Sequence, residues 1–465
     1  MQRPLWQGWQ HERAQAVHRR RMHFVPADSE AFLRSLWVFR RILDRLPNYA
    51  VAYRKWHAMK QILFVDDEPK LLDGLKRSLR PMREEWNMSF VTSGAEALQA
   101  LEESPFDVIV SDMRMPVMDG AQLLNEVRQR FPQVVRIVLS GQSDKELIYQ
   151  SIAATHQYLD KPCESELLKA TVLRACALRD HLGSDSLRQL VTGMHQIPSQ
   201  PTLYAEIRKE AESKTASIRA IGAIISKDMG MTAKILQLVN SAYFGLRGPV
   251  STAEQAVNLL GLDTVQALVL TVHVFSKFSS THGSGFNINR LWEASTETGA
   301  LARAIAKAEQ VSALMIEQTY TAGLLHDVGT LVFAANVPER YEAMLKASHH
   351  KDLLVWEVER LEFGASHADV GAYLLGLWGL GDPIVEAVAF HHRPSDCVVN
   401  SFSPLTAVHV ANALQEELSQ QPRGNVPSQI DSAYLDSLHM NHRLPHWREV
   451  AGALQRAAGK ELTHD

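Results

Sequence analysis

The sequence predicts two folds in one chain: an α/β domain on a doubly wound, five-stranded parallel sheet, then an all-α domain. Three observations carry this reading. Short apolar strand patterns alternate with amphipathic helical patterns from Gln61 to Asp180. After Ser184 the strand signals stop, and nearly everything to Lys460 is amphipathic helix punctuated by Gly, Pro and Asn. A chain of 465 residues is also too long for a single core.

The predicted strands are Ile62–Val65, Ser89–Thr92, Val108–Ser111, Arg136–Leu139 and Gln157–Leu159. Helical patterns fill the gaps at Pro69–Met82, Gly94–Glu102, Gly120–Arg130, Asp144–Ala153 and Glu164–Asp180. Strands that alternate with helices pair in parallel, because each helix is the crossover to the next strand. Ligands of such sheets sit at the carboxyl ends of the strands. The stretch Glu164–Leu190 has the pattern to continue as a connecting helix, broken or kinked near Gly183. Beyond it the polar loop Ser279–Gly285 divides the helical region into two lobes. No short-period repeat indicates a solenoid.

Residues 1–58 read differently. They are rich in Arg and Trp, with Arg19, Arg20 and Arg21 in a row. A basic arm for nucleic acid or anionic lipid is one reading. The reading we favour is a leader with little fixed structure ahead of a natural start at Met59, with Leu33–Leu46 able to form a short amphipathic helix. The expected division is therefore leader 1–58, α/β domain 59–182, helical domain 183–460 and a tail at 461–465.

Composition excludes several classes. The net charge of −4 gives no general attraction to nucleic acid or anionic membrane. The longest apolar run, Val265–Phe275, contains His273 and is too short to span a bilayer. Cys163, Cys176 and Cys397 have neither paired nor metal-ligand spacing, which points to a reduced, cytoplasmic setting.

The strand ends carry the chemistry. Asp66 and Asp67 end the first strand, Asp112 the third, Ser140 the fourth and Lys161 the fifth, just before Pro162. All five face one crevice. Crowded carboxylates repel, and a hard divalent cation such as Mg²⁺ relieves that repulsion with oxygen coordination. The cation also neutralises an incoming phosphoryl group, on which a carboxylate can act as nucleophile. Singly, each residue reads as a helix cap or a turn; the ordered set does not.

These residues lie in "ILFVDDE", "DVIVSDMRMPVMDG", "IVLSG" and "YLDKP", and over about residues 60–180 the chain resembles the response-regulator receiver family. The resemblance implies a flavodoxin-like fold. It implies that Asp112 is phosphorylated by a sensor histidine kinase or a phosphotransfer protein. It further implies that Asp66, Asp67, Asp112 and the Met113 main-chain carbonyl bind Mg²⁺, and that Ser140 and Lys161 sense the phosphate. Tyr158 takes the aromatic switch position, and the Lys161–Pro162 bond is expected to be cis. The readout face of such receivers, here about Asp144–Asp180, leads into the output domain and would suit a homodimer.

The segments "IPSQPTLYAEI", "IGAIISKDMGMTAKILQLVNSAYFG", "GLLHDVGTLVF", "SHADVGAYLLGLWGL" and "EAVAFHHRP" resemble the HD-related output domain, HDOD, over about residues 190–458. HD-type phosphohydrolases gather His and Asp around one or two metals. This chain keeps His326, Asp327, His367, His391 and His392. Ala294 and Asn412 stand where further ligands belong, and Thr330 replaces the usual Lys. The depleted site is not expected to hold metal or to hydrolyse; a satisfied buried polar cluster is the plainer reading. The expected function is thus a phosphorylation-controlled response regulator of a two-component system whose non-catalytic output binds an unknown downstream protein. The alternative is a receiver-regulated, metal-dependent HD-type phosphodiesterase. With no basic recognition helix or zinc finger, direct DNA binding is not expected.

Overall fold

The structure, a computed structural model, describes residues 59–461 apart from 142–146, 148–150, 152–153, 182–184, 195–196, 241–249, 271–275, 278–286, 349–352, 398–399 and 419–428. The leader 1–58, the tail 462–465 and the polar loop between the expected lobes lie outside the described residues. So does most of the helix expected at Asp144–Ala153.

The α/β domain runs β1 (Lys60–Val65), α1 (Pro69–Ser78), β2 (Trp86–Val91), α2 (Gly94–Glu103), β3 (Val108–Asp112), α3 (Gly120–Arg130), β4 (Val135–Ser140), β5 (Gln157–Asp160) and α4 (Ser165–His181). The strands are all parallel, in the order β2-β1-β3-β4-β5. Two boundaries differ from expectation by three residues or more. β2 begins three residues early, because Trp86 pairs with Lys60 and is buried. The first helix stops at Ser78, and Pro81, which has no N–H to donate, sits in a following 3-10 turn, Arg80–Met82.

Alternation along β1 sends neighbouring residues to opposite faces. Leu63 and Val65 pack with Ile109, Val138 and Tyr158 against Ala97 and Leu101 of α2 and Leu123, Leu124 and Val127 of α3. Ile62 and Phe64 pack on the other face with Leu72 of α1 and Leu168 and Val172 of α4. That second core does not end at the domain border. It continues through Val191 into the helical domain.

The helical domain comprises α5 (Asp185–Gly193), α6 (Pro201–Glu212), α7 (Ile218–Ile225), α8 (Met229–Val239), α9 (Ala253–Leu260), α10 (Leu262–Leu270), α11 (Ile288–Ala308), α12 (Ala313–Leu325), α13 (Val328–Asn336), α14 (Pro338–Ser348), α15 (Val355–Phe363), α16 (His367–Leu377), α17 (Asp382–Phe390), α18 (Pro404–Leu418), α19 (Ser432–Ser437) and α20 (Leu444–Glu461). The domain is helical as expected, with one small addition. Residues Pro198–Ser199 (β6) and Ser276–Lys277 (β7) form a small parallel pair, which tethers two extended connections. The connecting segment is two helices, α4 and α5.

The two domains share a tight seam. α4 packs on α16. Gln157 donates to the Leu377 carbonyl at 3.0 Å, and Arg174 donates to the Leu380 carbonyl and pairs with Asp382 at 3.2 Å. Buried Arg136 donates to the carbonyls of Val134 and Thr192, and Gln237 of α8 donates to the carbonyls of Thr155 and His156. Burial lowers Arg136 to about 9 and Lys234, which lies over the Trp378 ring, to about 7. The part of the readout face described here, β5 and α4, is thus occupied by the same chain; the sequence left it open for a homodimer.

Candidate functional sites

At the carboxyl edge of the sheet, Asp66, Asp67 and Asp112 each place a carboxylate oxygen within 4.8 Å of the other two. Asp66 and Asp112 are buried and Asp67 is half-buried. Lys161 reaches between them, 2.8 Å from Asp66 Oδ2 and 2.8 Å from Asp112 Oδ1. Burial pushes the Asp112 carboxyl above its ordinary value, and Lys161 opposes that shift. Burial alone would lower Lys161, but the two carboxylates raise it instead. The Met113 N–H donates to Asp112 Oδ1, and the Met113 carbonyl accepts from Gly120. Ser140 Oγ is buried and has no hydrogen-bond partner among the described residues. Tyr158 is turned inward, its hydroxyl 3.0 Å from Ser151 Oγ, and burial pushes it up to about 12. The Lys161–Pro162 bond is cis. Three hard carboxylates at this spacing fit a Mg²⁺ ion.

The second cluster forms where helices end. His326 closes α12 and Asp327 opens α13. Residues adjacent on one helix project about 100° apart; the junction between two helices is what lets both face inward. α13 and α16 cross so closely that a Cβ on Gly329 would lie 2.0 Å from the His367 carbonyl. This contact brings Asp327 beside His367, whose Nε2 is 3.1 Å from Asp327 Oδ1. His391 closes α17, with its Nε2 3.9 Å from the same oxygen. His392 Nε2 lies 3.0 Å from His367 Nε2. All five residues expected at this site do converge. Burial holds His391 and His392 well below the ordinary histidine range, so both are neutral at pH 7. Ala294 and Asn412 are buried on α11 and α18.

Sequence reasoning missed two members. Glu359, fully buried on α15, accepts from the His367 backbone N–H at 2.7 Å and lies 2.6 Å from His367 Nδ1. Its other oxygen accepts from the Tyr341 hydroxyl. His409 lies 2.7 Å from the His391 carbonyl through Nδ1, while its Nε2 accepts from the Asp431 N–H. A Glu eight residues before a helix-opening His was the only sequence signal for the first; nothing marked the second.

Two family models match the chain. The response regulator receiver domain model matches residues 62–173, and the HDOD domain model matches residues 197–394. The chain therefore joins a response regulator receiver domain to an HDOD domain, the architecture of a response regulator in two-component signalling. A Treponema pallidum protein is 31% identical over 197 residues, 42% of this chain and 38% of that one. The hydrogenase transcriptional regulatory protein HoxA of Cupriavidus necator is 41% identical over 116 residues, 24% of this chain and 23% of HoxA. The chain thus spans well under half the length of these relatives. Among solved structures, the MmoQ response regulator of Methylococcus capsulatus superposes with a TM-score of 0.42 at 22% identity, covering 52% of this chain and 98% of MmoQ. An HDOD domain protein of Geobacter sulfurreducens gives 0.36 at 21% identity, over 59% and 94% of the two chains. No described helix is long and apolar enough to cross a membrane.

Proposed function

We propose that Asp112 is the phosphoacceptor of this response regulator and that the HDOD domain is a non-catalytic output that binds a downstream protein. A sensor histidine kinase or phosphotransfer protein is the donor. An Asp112 carboxylate oxygen bonds the phosphorus as the donor's P–N bond breaks. Asp66, Asp67, Asp112 and the Met113 carbonyl would hold Mg²⁺, which neutralises phosphoryl charge. Lys161 then leaves its carboxylate pair for a phosphoryl oxygen, Ser140 donates to another, and Tyr158 holds the inward position. We place this cycle in the cytoplasm and the domain division near residue 182.

The observation that carries the reading is Ser140: a buried hydroxyl without a described partner, in the crevice of Asp112 and Lys161. Such a group costs about 1–3 kcal/mol unless a ligand completes it. Incubation with a small phosphodonor and Mg²⁺ is expected to label the chain, and Asp112→Asn to abolish labelling. A variant that still labels would refute the assignment.

The convergence of His and Asp favours one second reading, a metal-dependent phosphodiesterase. Ala294 and Asn412 offer no ligand of the expected kind, so no turnover is expected with Mn²⁺, Fe²⁺ or Mg²⁺. Turnover that is lost in His326→Ala would reverse this order.

A further inference from the structure

The hydrogen bonds around the His cluster fix where its protons are. His367 Nδ1 lies against the Glu359 carboxylate and His391 Nδ1 against the Val388 carbonyl at 2.8 Å. An acceptor beside Nδ1 keeps the proton there and leaves a lone pair on Nε2. Both Nε2 atoms then point at the Asp327 carboxylate, so acceptors face an acceptor inside the protein. A proton on His367 Nε2 would satisfy Asp327 Oδ1 but not the buried Nε2 of His391, which has no hydrogen-bond partner among the described residues. A single cation at the centre satisfies them together.

We propose that Asp327, His367, His391 and His392 form a closed, mononuclear transition-metal site, that Glu359 orients His367 from outside it, and that His326 is not a ligand. One donor atom from each of the four lies within 4.8 Å of the others, whereas His326 stands outside that group, its Nε2 3.2 Å from the opposite oxygen, Asp327 Oδ2. The separations of 3.0, 3.1 and 3.9 Å bracket the spacing of about 3.4 Å between donors of a tetrahedral ion with bonds of about 2.0–2.1 Å. Three imidazoles and a carboxylate suit Zn²⁺ or a neighbouring first-row ion rather than Mg²⁺ or Ca²⁺. Four protein ligands fill a tetrahedral ion and leave no position for a water, the arrangement of structural sites. The ion ties the start of α13, the start of α16 and the end of α17 into one joint. This departs from the expectation of a site too depleted for metal, yet agrees with an output that does not hydrolyse. It does not depend on phosphorylation of Asp112.

The test uses the full chain, stripped with a chelator and held in excess Mg²⁺ to saturate the receiver crevice. Co²⁺ is titrated in while visible absorption is recorded, and Zn²⁺ is then titrated against it calorimetrically. One ion per chain with the intense bands of tetrahedral Co²⁺ is expected. His392→Ala, at the partly exposed edge of the cluster, is expected to lose the bands while keeping its helical circular dichroism. Glu359→Gln should weaken affinity by about 10–100-fold, the usual effect of removing an outer-shell partner. His326→Ala should bind as tightly as the unaltered chain. Absent bands in the unaltered chain would overturn the proposal, and so would His326→Ala losing the ion as fully as His392→Ala does.

Discussion

The receiver crevice and the His cluster both gather acceptor groups, but they handle the charge differently. In the crevice, Lys161 stands between Asp66 and Asp112 as a resident cation that can move. In the cluster, Asp327 is ringed by imidazoles, two of them held neutral by burial. The first site carries its own counter-charge and stays half open to water through Asp67. The second is closed except at His392, and the Nδ1 contacts of His367 and His391 turn each Nε2 toward Asp327. A carboxylate meant for intermittent modification needs a counter-ion that can step aside; one sealed in a core needs a permanent partner.

Three substitutions would break or sharpen this contrast. The largest effect is expected at Gly329, whose Cβ would meet the His367 carbonyl at 2.0 Å. Gly329→Ala should push α13 from α16 and cost the output domain about 3 kcal/mol in urea unfolding, with no loss of Asp112 labelling. Equal stability would mean that the cluster is not pinned by that crossing.

The second concerns Lys234, a cation sealed in the seam with the Gln237 side-chain oxygen Oε1 and the Trp378 face as partners. Its folded value of about 7 lies below the ordinary 10.5. The unfolded chain therefore binds the extra proton between those values, and stability rises with pH across that window. From pH 7 to pH 9 the gain should be about 2 kcal/mol, and Lys234→Met should flatten it. A rise that survives in the variant would place its source elsewhere.

The smallest effect is expected at Lys161, which is about a quarter exposed. Lys161→Met should cost the receiver about 1–2 kcal/mol without Mg²⁺ and gain more from added Mg²⁺ than the unaltered chain does. Equal Mg²⁺ stabilisation in both would deny Lys161 its role as resident counter-ion.

The receiver was legible because its evidence is local. Each strand is a short apolar run, and each site residue sits at a strand end, where period-2 alternation and parallel order fix its neighbours. The His cluster was legible as a set of five residues through the resemblance, but not in the geometry that joins them. His367 and His391 are held by helix ends whose meeting depends on the Gly329 crossing, a long-range contact with no sequence period. Glu359 escaped notice because a lone Glu on an amphipathic helix normally faces water, whereas this one is fully buried. The seam was invisible for the same reason. Gln157 and Arg174 look like ordinary surface residues until Leu377 and Leu380 are brought beside them.

The core that runs from Ile62 and Phe64 through α4 into the helical domain bears on any attempt to divide the chain. Leu168, Val172 and Ala175 are buried on the helix that packs on α16. A receiver fragment cut near residue 182 would lose α16 and turn part of that apolar helix toward water. It would be expected to self-associate through a face the intact chain covers, so dimerisation of such a fragment would report on the cut rather than on signalling.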